Sequence, residues 1–475
     1  MPTTAATTPS APLSAPPANA VLGAFLAEWR GRALPPEVTH EARRALLNSL
    51  GASVGAAAHP TVAILRDGAL RSAPSGSPSH ILWLGDAVVA DQAALVNAAL
   101  MHVLDFDDTH LATYCHPAPP VFSALLAEGE RVDASGTALL QAAALGMEVE
   151  LLVARALFPS HYLRGNHISA TTGAVGAAAA CAVLHGLDAE QSAHALGLAM
   201  ATAAGSVETI GTMGNAYGVG NAARGGVAAA WLAGRGLTTA RTALDGEKGM
   251  LRASSDEHAA GKLDGLLAAL GSDWQVLRNS YKRFATETIT QAPLECVFDM
   301  LAEIDPVRRG ALTSVRLTTA PIVVDVVRQR SAKIGGGPPR DELEATFDIR
   351  YCVAAAWLAG TWSHDQLLPE AIESPTVRAL RERIEVVGDP SVGVEDATLL
   401  FRFADGSEVE RSVRGFRGSE HHPMSDGELR AKLVTAADGA LDDGAAARIA
   451  DATLAFGGDG DSCRDLMRLL RLPGR

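Results

Sequence analysis

The sequence predicts a mainly α protein in which a smaller α+β domain interrupts a large helical one. Three observations carry that expectation. Hydrophobic residues make up 48% of the 475 positions but aromatics only 5%, and glycines number 46, so the apolar content is carried largely by alanine. Small residues suit closely packed helices better than a β-sandwich, which favours β-branched and aromatic side chains. From about residue 18 to 275 the apolar positions recur at helical spacing. After about residue 277 the texture becomes strand-like, and it turns helical again after Ser425.

Taken in order, residues 1–17 hold no Lys, Arg or apolar stretch and read as a loose Pro/Ala/Thr/Ser tail, not a secretory or transit peptide. Leu139, Leu140, Ala143, Met147, Leu151 and Ala154 recur at three and four residues, marking one face of a helix. Asp188 with Gln191 forms a capping box that opens a helix through Leu196 and Met200. Further small-residue helices are expected from Ser169 and over about 222–232. The small-residue run 173–184 is too short and too poor in Leu and Ile to span a bilayer. Val315, Leu317 and the stretch 322–327 read as strands, and 332–340 as a Gly/Pro loop. Asp405-Gly406 lies between the strand-like runs 399–403 and 409–413, which is a hairpin signal. Ser425 with Glu428 gives another capping box. The expected division is a tail at 1–17, a helical domain at 18–276, an α+β domain at 277–417 and C-terminal helices at 418–475. Whether those last helices rejoin the first domain is left open by the sequence.

Lys and Arg total 40 against 54 Asp and Glu, a net charge of −14. Such an acidic chain argues against nucleic acid or an anionic membrane as its main partner. An anionic substrate would need a local basic site. Cys115, Cys181, Cys296, Cys352 and Cys463 form no CxxC pair, which argues against a disulfide framework, a zinc ribbon and a conventional iron–sulfur site. Free thiols suit a reducing cytosol, so a cytoplasmic protein is expected.

Four segments could carry chemistry. Asp105, Asp107, Asp108 and His110, followed by His116-Pro117, put three carboxylates and two histidines within twelve residues. Histidine exchanges protons near neutral pH, so acid–base work is one reading. A solvated acidic loop and a divalent-metal site are the others. The second segment, Arg164-Gly165-Asn166-His167, precedes a helix whose N-terminus favours anions. Around Gly211–Asn221 the run Gly218-Val219-Gly220 lacks the remaining glycine of a dinucleotide fingerprint, and no strand is expected before it. No nucleotide cofactor is expected. Tyr281-Lys282-Arg283-Phe284 sits where the texture changes and could close cations on an anion between domains; Arg350-Tyr351 adds another cation and a phenol.

Together these segments resemble the MmgE/PrpD family, which includes 2-methylcitrate dehydratases, cis-aconitate decarboxylases and iminodisuccinate epimerases. The resemblance rests on LDFDDTH at 104–110, HP at 116–117, RGNHISATTGAVGAAAA at 164–180 and ALGLAMATAAGS at 195–206. It continues through GTMGNAYGVGNAARGGVAAAWLAGRG at 211–236, FATETITQAPLE at 284–295 and RYCVAAAW at 350–357. It implies a homodimer whose site lies between the helical domain and an α+β lid. Matched position by position, the implied catalytic residues are Asp105, Thr109, His116, His167, Lys282 and Tyr351.

There are departures. Many relatives read GTMTK followed by a histidine where this chain has Asn215 and Gly218, and Asn221 replaces a basic residue. Ile289 stands where dehydratase-like relatives carry a histidine. Arg164, Arg283 and Arg350 are the cations available to compensate, and with Asn215 they complete the expected substrate-binding set. The resemblance implies a lyase without metal or organic cofactor, acting on a small polycarboxylate by proton transfer beside a carboxylate. His116 and His167 would be base and acid, and Lys282 a carboxylate clamp. Asp105 and Thr109 would orient them, with Tyr351 donating a proton from the lid. A 2-methylcitrate dehydratase-like hydro-lyase is the first expectation, with decarboxylation or epimerisation of a related dicarboxylate next. A non-catalytic carboxylate-binding paralogue is the alternative of another class.

Overall fold

The computed structural model describes residues 16–256 and 258–472. Most of the expected tail, residues 1–15, lies outside them, and Pro17 already serves as the N-cap of the first helix, Ala18–Trp29.

The fold is mainly α, and its centre is built from helices whose facing surfaces carry almost no side chain. Ile168–Leu184 packs between Gly136–Leu157 and Met213–Gly234. A Cβ added at Gly226 would lie 2.4 Å from that of Ala177, and one at Gly146 2.6 Å from that of Ala180. Glycine at these points lets the backbones touch, so the Ala/Gly composition is a packing requirement. Gly136–Leu157 carries the face read from Leu139 to Ala154; it is long and apolar enough to cross a membrane. With 83% of its most apolar window buried inside the fold, it is a core helix here. The capping box of Asp188 and Gln191 opens Ala189–Thr202 as expected. Met213–Gly234 begins well before the expected 222, because Thr212 accepts a hydrogen bond from the Gly214 N–H and caps it there.

A separate hydrophobic core draws on residues between Phe284 and Phe416. Its four-stranded sheet runs Ile384–Gly388, Leu312–Thr319, Ala397–Phe403, Glu408–Val413, the first pair parallel and the others antiparallel. The Asp-Gly hairpin is present, with Arg402 opposite Glu408 and Gly406 at φ +82°. The stretch 322–327 is not a strand. It belongs to the helix Pro321–Lys333, which proline opens at its first turn. Val323, Val326, Val327 and Arg330 share one face at helical spacing, so tertiary packing overrides the β-branched preference.

The C-terminal helices return to the first core. Asp426–Ala436, opened by its Ser425–Glu428 capping box, lies on Pro36–Val54, where Gly51 makes room for Leu433. The outgoing and returning chains meet where the Tyr281 N–H donates to the Gly418 carbonyl at 2.8 Å. Gly418 has φ +105°, and a Cβ there would overlap the Tyr281 carbonyl, so no other residue fits this crossing. Just before it, Asn279–Tyr281 pairs antiparallel with Asp108–His110, Asp108 opposite Tyr281 and Thr109 opposite Ser280. This short ladder brings the acidic segment beside Lys282.

Candidate active site

Between the two cores lies a cavity with about 730 Å³ of empty space, its mouth included. The helical side contributes His102, Asp105, Thr109, His116, His167 and Asn215. Opposite them stand Glu287, Thr288, Ile289, Val323, Val326 and Arg330.

The polar wall starts where the helix Ala90–His102 ends. Asp105 takes φ +48°, a left-handed turn that aspartate tolerates better than most residues, and its N–H donates to the His102 carbonyl at 2.9 Å. The turn points both the Asp105 carbonyl and its Oδ1 at Lys282 Nζ, 2.9 and 2.6 Å away. Asp107 Oδ1 lies 3.4 Å from the same ammonium. Burial alone would depress the lysine pKa, but Asp105 and Asp107 raise it. Burial likewise works against an ionised Asp107, yet His116, His102 and Lys282 hold its carboxyl well below the usual range.

Three imidazoles stand on this base in different states. His116 Nδ1 lies 2.6 Å from the Asp108 carbonyl and 3.3 Å from Thr109 Oγ1, and the His116 N–H donates to Ser169 Oγ at 2.8 Å. A carbonyl only accepts, so Nδ1 carries the proton and Nε2 keeps its lone pair for the cavity. Burial, with Lys282 and His102 adding to it, pushes the His116 pKa down to about 4 despite Asp107. His102 goes the other way. Burial would lower it, but Asp107 Oδ2 at 2.6 Å from Nδ1 more than reverses this and raises its pKa. The two rings are 5.0 Å apart. His167, the N-cap of Ile168–Leu184, is pushed well below the ordinary value by burial and by both other rings. Its side chain makes no hydrogen bond among the described residues, which leaves both ring nitrogens for a ligand.

The cavity thus gathers Asp105, Thr109, His116, His167 and Asn215 from the sequence expectations, and Ile289 with them. The others fall elsewhere. Lys282 is 1% exposed and does not line the cavity; its ammonium is spent on two buried carboxylates and is not a free clamp. Tyr351 is buried in the second core, where its hydroxyl donates to the Gln366 carbonyl at 2.5 Å. Tyr351→Phe is therefore expected to keep kcat within about threefold and to cost about 1 kcal/mol of stability in urea titration. Arg164 is exposed and outside the cavity wall, and Arg283, also exposed, lies over the Phe284 ring. Arg350 lines a neighbouring cavity instead. Asp108 caps the helix Ala118–Val132 through the Ala118 N–H, and burial beside Asp107 pushes its pKa up to about 7. His110, paired to Thr113 Oγ1 at 2.9 Å, is driven down to about 3 by burial and is not in the wall.

Sequence reasoning missed His102, although it stands three residues before Asp105 and closes the helix that delivers it. It missed Arg330 because 322–327 read as a strand. Arg330 forms a partly buried ion pair with Glu287, and both line the cavity. Lys432, from the returning C-terminal helix, was also out of reach. Its Nζ donates to Asn48 Oδ1, the Phe106 carbonyl and the Lys282 carbonyl at 2.7, 2.8 and 2.7 Å, tying three distant segments together behind the site.

His102, Asp105, Asp107 and His116 offer ligand atoms that all lie within 4.8 Å of one another. The donor set nevertheless fits an ammonium better than a divalent ion. Lys282 already takes the Asp105 and Asp107 oxygens, and the proton on His116 Nδ1 is committed to the Asp108 carbonyl.

Residues 20–262 match the family model described as the MmgE/PrpD N-terminal domain, and residues 284–456 the MmgE/PrpD C-terminal domain. A cis-aconitate decarboxylase-like protein of Aspergillus oryzae, oryM, is 26% identical over 406 residues, covering 80% of this chain and 81% of its own. Human cis-aconitate decarboxylase is 28% identical over 357 residues, 72% of this chain and 71% of the relative. The mouse protein of the same name is 26% identical over 356 residues, 72% and 70% of the two chains.

Proposed function

Because the chain belongs to the MmgE/PrpD family, we propose that it is a lyase that moves a proton at a carbon beside a carboxylate, with loss of CO₂ from a small unsaturated polycarboxylic acid as its leading reaction. The observation that carries this reading is the pair His116 and His102. A neutral imidazole and one inclined to keep its proton stand 5.0 Å apart in one cavity. General acid–base chemistry requires such a division of states at one pH.

In the decarboxylation the bond from carbon to the departing carboxylate breaks. Its electron pair passes into the chain conjugated with a second carboxylate, and the carbon there takes a proton from His102. Asp107 stabilises the imidazolium before transfer, and the unprotonated Nε2 of His116, its ring 5.0 Å from that of His102, takes the replacement proton from solvent and passes it on. Asn215 fits His102 as the acid, since its Oδ1 is buried without a partner while Nδ2 sits 3.2 Å from His102 Nε2. Turning the amide over gives Oδ1 to a protonated Nε2. Two observations support CO₂ as the leaving group. Ile168, Ile289, Val323 and Val326 form an apolar wall that cannot hydrate a carboxylate but accommodates neutral CO₂. The human and mouse relatives are named cis-aconitate decarboxylases, and the Aspergillus oryzae one is named as like them. Loss of water is the second reading, supported by the unpartnered ring of His167, which could protonate a departing hydroxyl while His116 Nε2 takes the proton from carbon.

With cis-aconitate, 2-methylcitrate and iminodisuccinate as test acids, CO₂ release from the unsaturated one is the expected result. Water loss without CO₂ would move the assignment to dehydration, and no turnover of any would overturn it. The pH profile of kcat/KM should rise through about pH 4, as His116 becomes neutral, and fall above the ordinary histidine value of 6.5, as His102 loses its proton. Asp107 raises the pKa of both rings, so Asp107→Asn should move both limbs to lower pH, the alkaline one by about 1–3 units. An unmoved alkaline limb would remove His102 from the role of acid.

A further inference from the structure

A second cavity of about 670 Å³, mouth included, opens beside the first, and Ile210, Arg330 and Phe347 line both. One side of it is the segment 210–212 of the helical part. The other is made by the helices Pro321–Lys333 and Glu342–Thr346 and by the first turn of Ile349–Ala359.

 Arg350 is the second residue of the helix Ile349–Ala359, and all three helices belong to the α+β part. Neither His116 nor His167 reaches this second space, and Arg350 does not reach the first.

Its charges do not balance. Arg340 is bound to Glu344, Arg330 to Glu287, and Asp348 to Arg381 at 2.7 Å. Lys333 donates to the carbonyls of Glu208 and Ile210, with the Glu208 carboxylate no nearer than 4.0 Å. Arg350 makes no ion pair among the described residues. Its Nη2 donates to Ser331 Oγ at 3.3 Å, and its Nε is buried without an acceptor. Burying a cationic donor unpaired is costly unless a ligand supplies the acceptor. Of the three residues common to both cavities, Ile210 and Phe347 are apolar and Arg330 is neutralised by Glu287, so Arg350 is the unpaired cation beyond them.

We propose that this second cavity is a subsite for the distal carboxylate of an elongated acid. The reacting end lies among the histidines, an apolar stretch of carbons passes Ile210 and Phe347, and the far carboxylate rests on Arg350. The inference rests on the reading of the histidine cavity as the place of reaction. It makes the substrate longer than a four-carbon diacid, because no residue of the reacting wall shares a cavity with Arg350 except through Ile210, Arg330 and Phe347.

Calorimetric titration of the full chain with straight-chain dicarboxylates from succinate to suberate, and with their monomethyl esters, tests it. A diacid longer than succinate should bind tightest, and its ester about tenfold or more weaker. Arg350→Met should bring the diacid down to the level of the ester and leave the ester unchanged. Arg350→Lys should restore part of the preference. Tightest binding of succinate, no binding of any diacid, or an ester equal to its diacid in the wild-type chain would overturn the subsite, whatever the variants do. Turnover is scored separately, so failure to release CO₂ counts against the reaction proposed above, and a lost chain-length preference counts against Arg350.

Discussion

Replacing His116 by Ala is expected to lower kcat by about 10²–10⁴-fold, the usual contribution of one positioned acid–base group. The effect should fall on the chemical step. His116 presents an unprotonated Nε2 to the cavity only because Nδ1 is held by the Asp108 carbonyl at 2.6 Å and burial keeps its pKa down to about 4. The substitution removes a ring from a cavity wall, so the fold should persist, and circular dichroism and the unfolding midpoint serve as controls. Steady-state kinetics on the acid that the wild-type chain turns over gives the number. A variant keeping more than about a tenth of wild-type kcat would show that another group holds the role.

Lys282→Met should act first on stability. The ammonium lies between two buried carboxylates, at 2.6 Å from Asp105 Oδ1 and 3.4 Å from Asp107 Oδ1. Removing one partner of a buried ion pair leaves charge without compensation, which typically costs about 3–5 kcal/mol. Urea unfolding should show a loss of that order, together with loss of activity, since Asp107 also sets the state of both neighbouring rings. Adding Asp105→Asn should recover part of the stability, because it removes one of the stranded charges. A surface clamp for substrate would behave differently, with KM raised and stability unchanged within about 0.5 kcal/mol. That second pattern would refute the buried counter-ion role of Lys282.

Much of this was legible in the sequence because local signals and packing agree. The Asp-Gly hairpin, both capping boxes and the face from Leu139 to Ala154 appear where the pattern places them. Asp105, Thr109, His116 and His167 converge on one cavity although they come from two separate segments. What stayed hidden depends on pairing across the chain. Val323, Val326 and Val327 look like strand residues, and only the face they share with Arg330 reveals a helix. With that face goes Arg330, the one arginine among the described residues that lines the histidine cavity. Lys282 and Tyr351 are cation and phenol in any sequence reading; their burial against Asp105 and the Gln366 carbonyl is tertiary information. His102 lies outside the acidic segment, at the end of the helix that delivers it, and only the fold turns its ring onto Asp107.

The central claim is that an imidazole in this cavity delivers a solvent-exchangeable proton to carbon. Running the reaction in D₂O with cis-aconitate or whichever test acid turns over, and reading the product by NMR, measures that transfer directly. The expected product carries deuterium on a carbon beside one of its remaining carboxylates, and forms far more slowly with the His116→Ala chain. Product with only protium at that carbon, or the same labelled product at an undiminished rate from His116→Ala, would contradict the account.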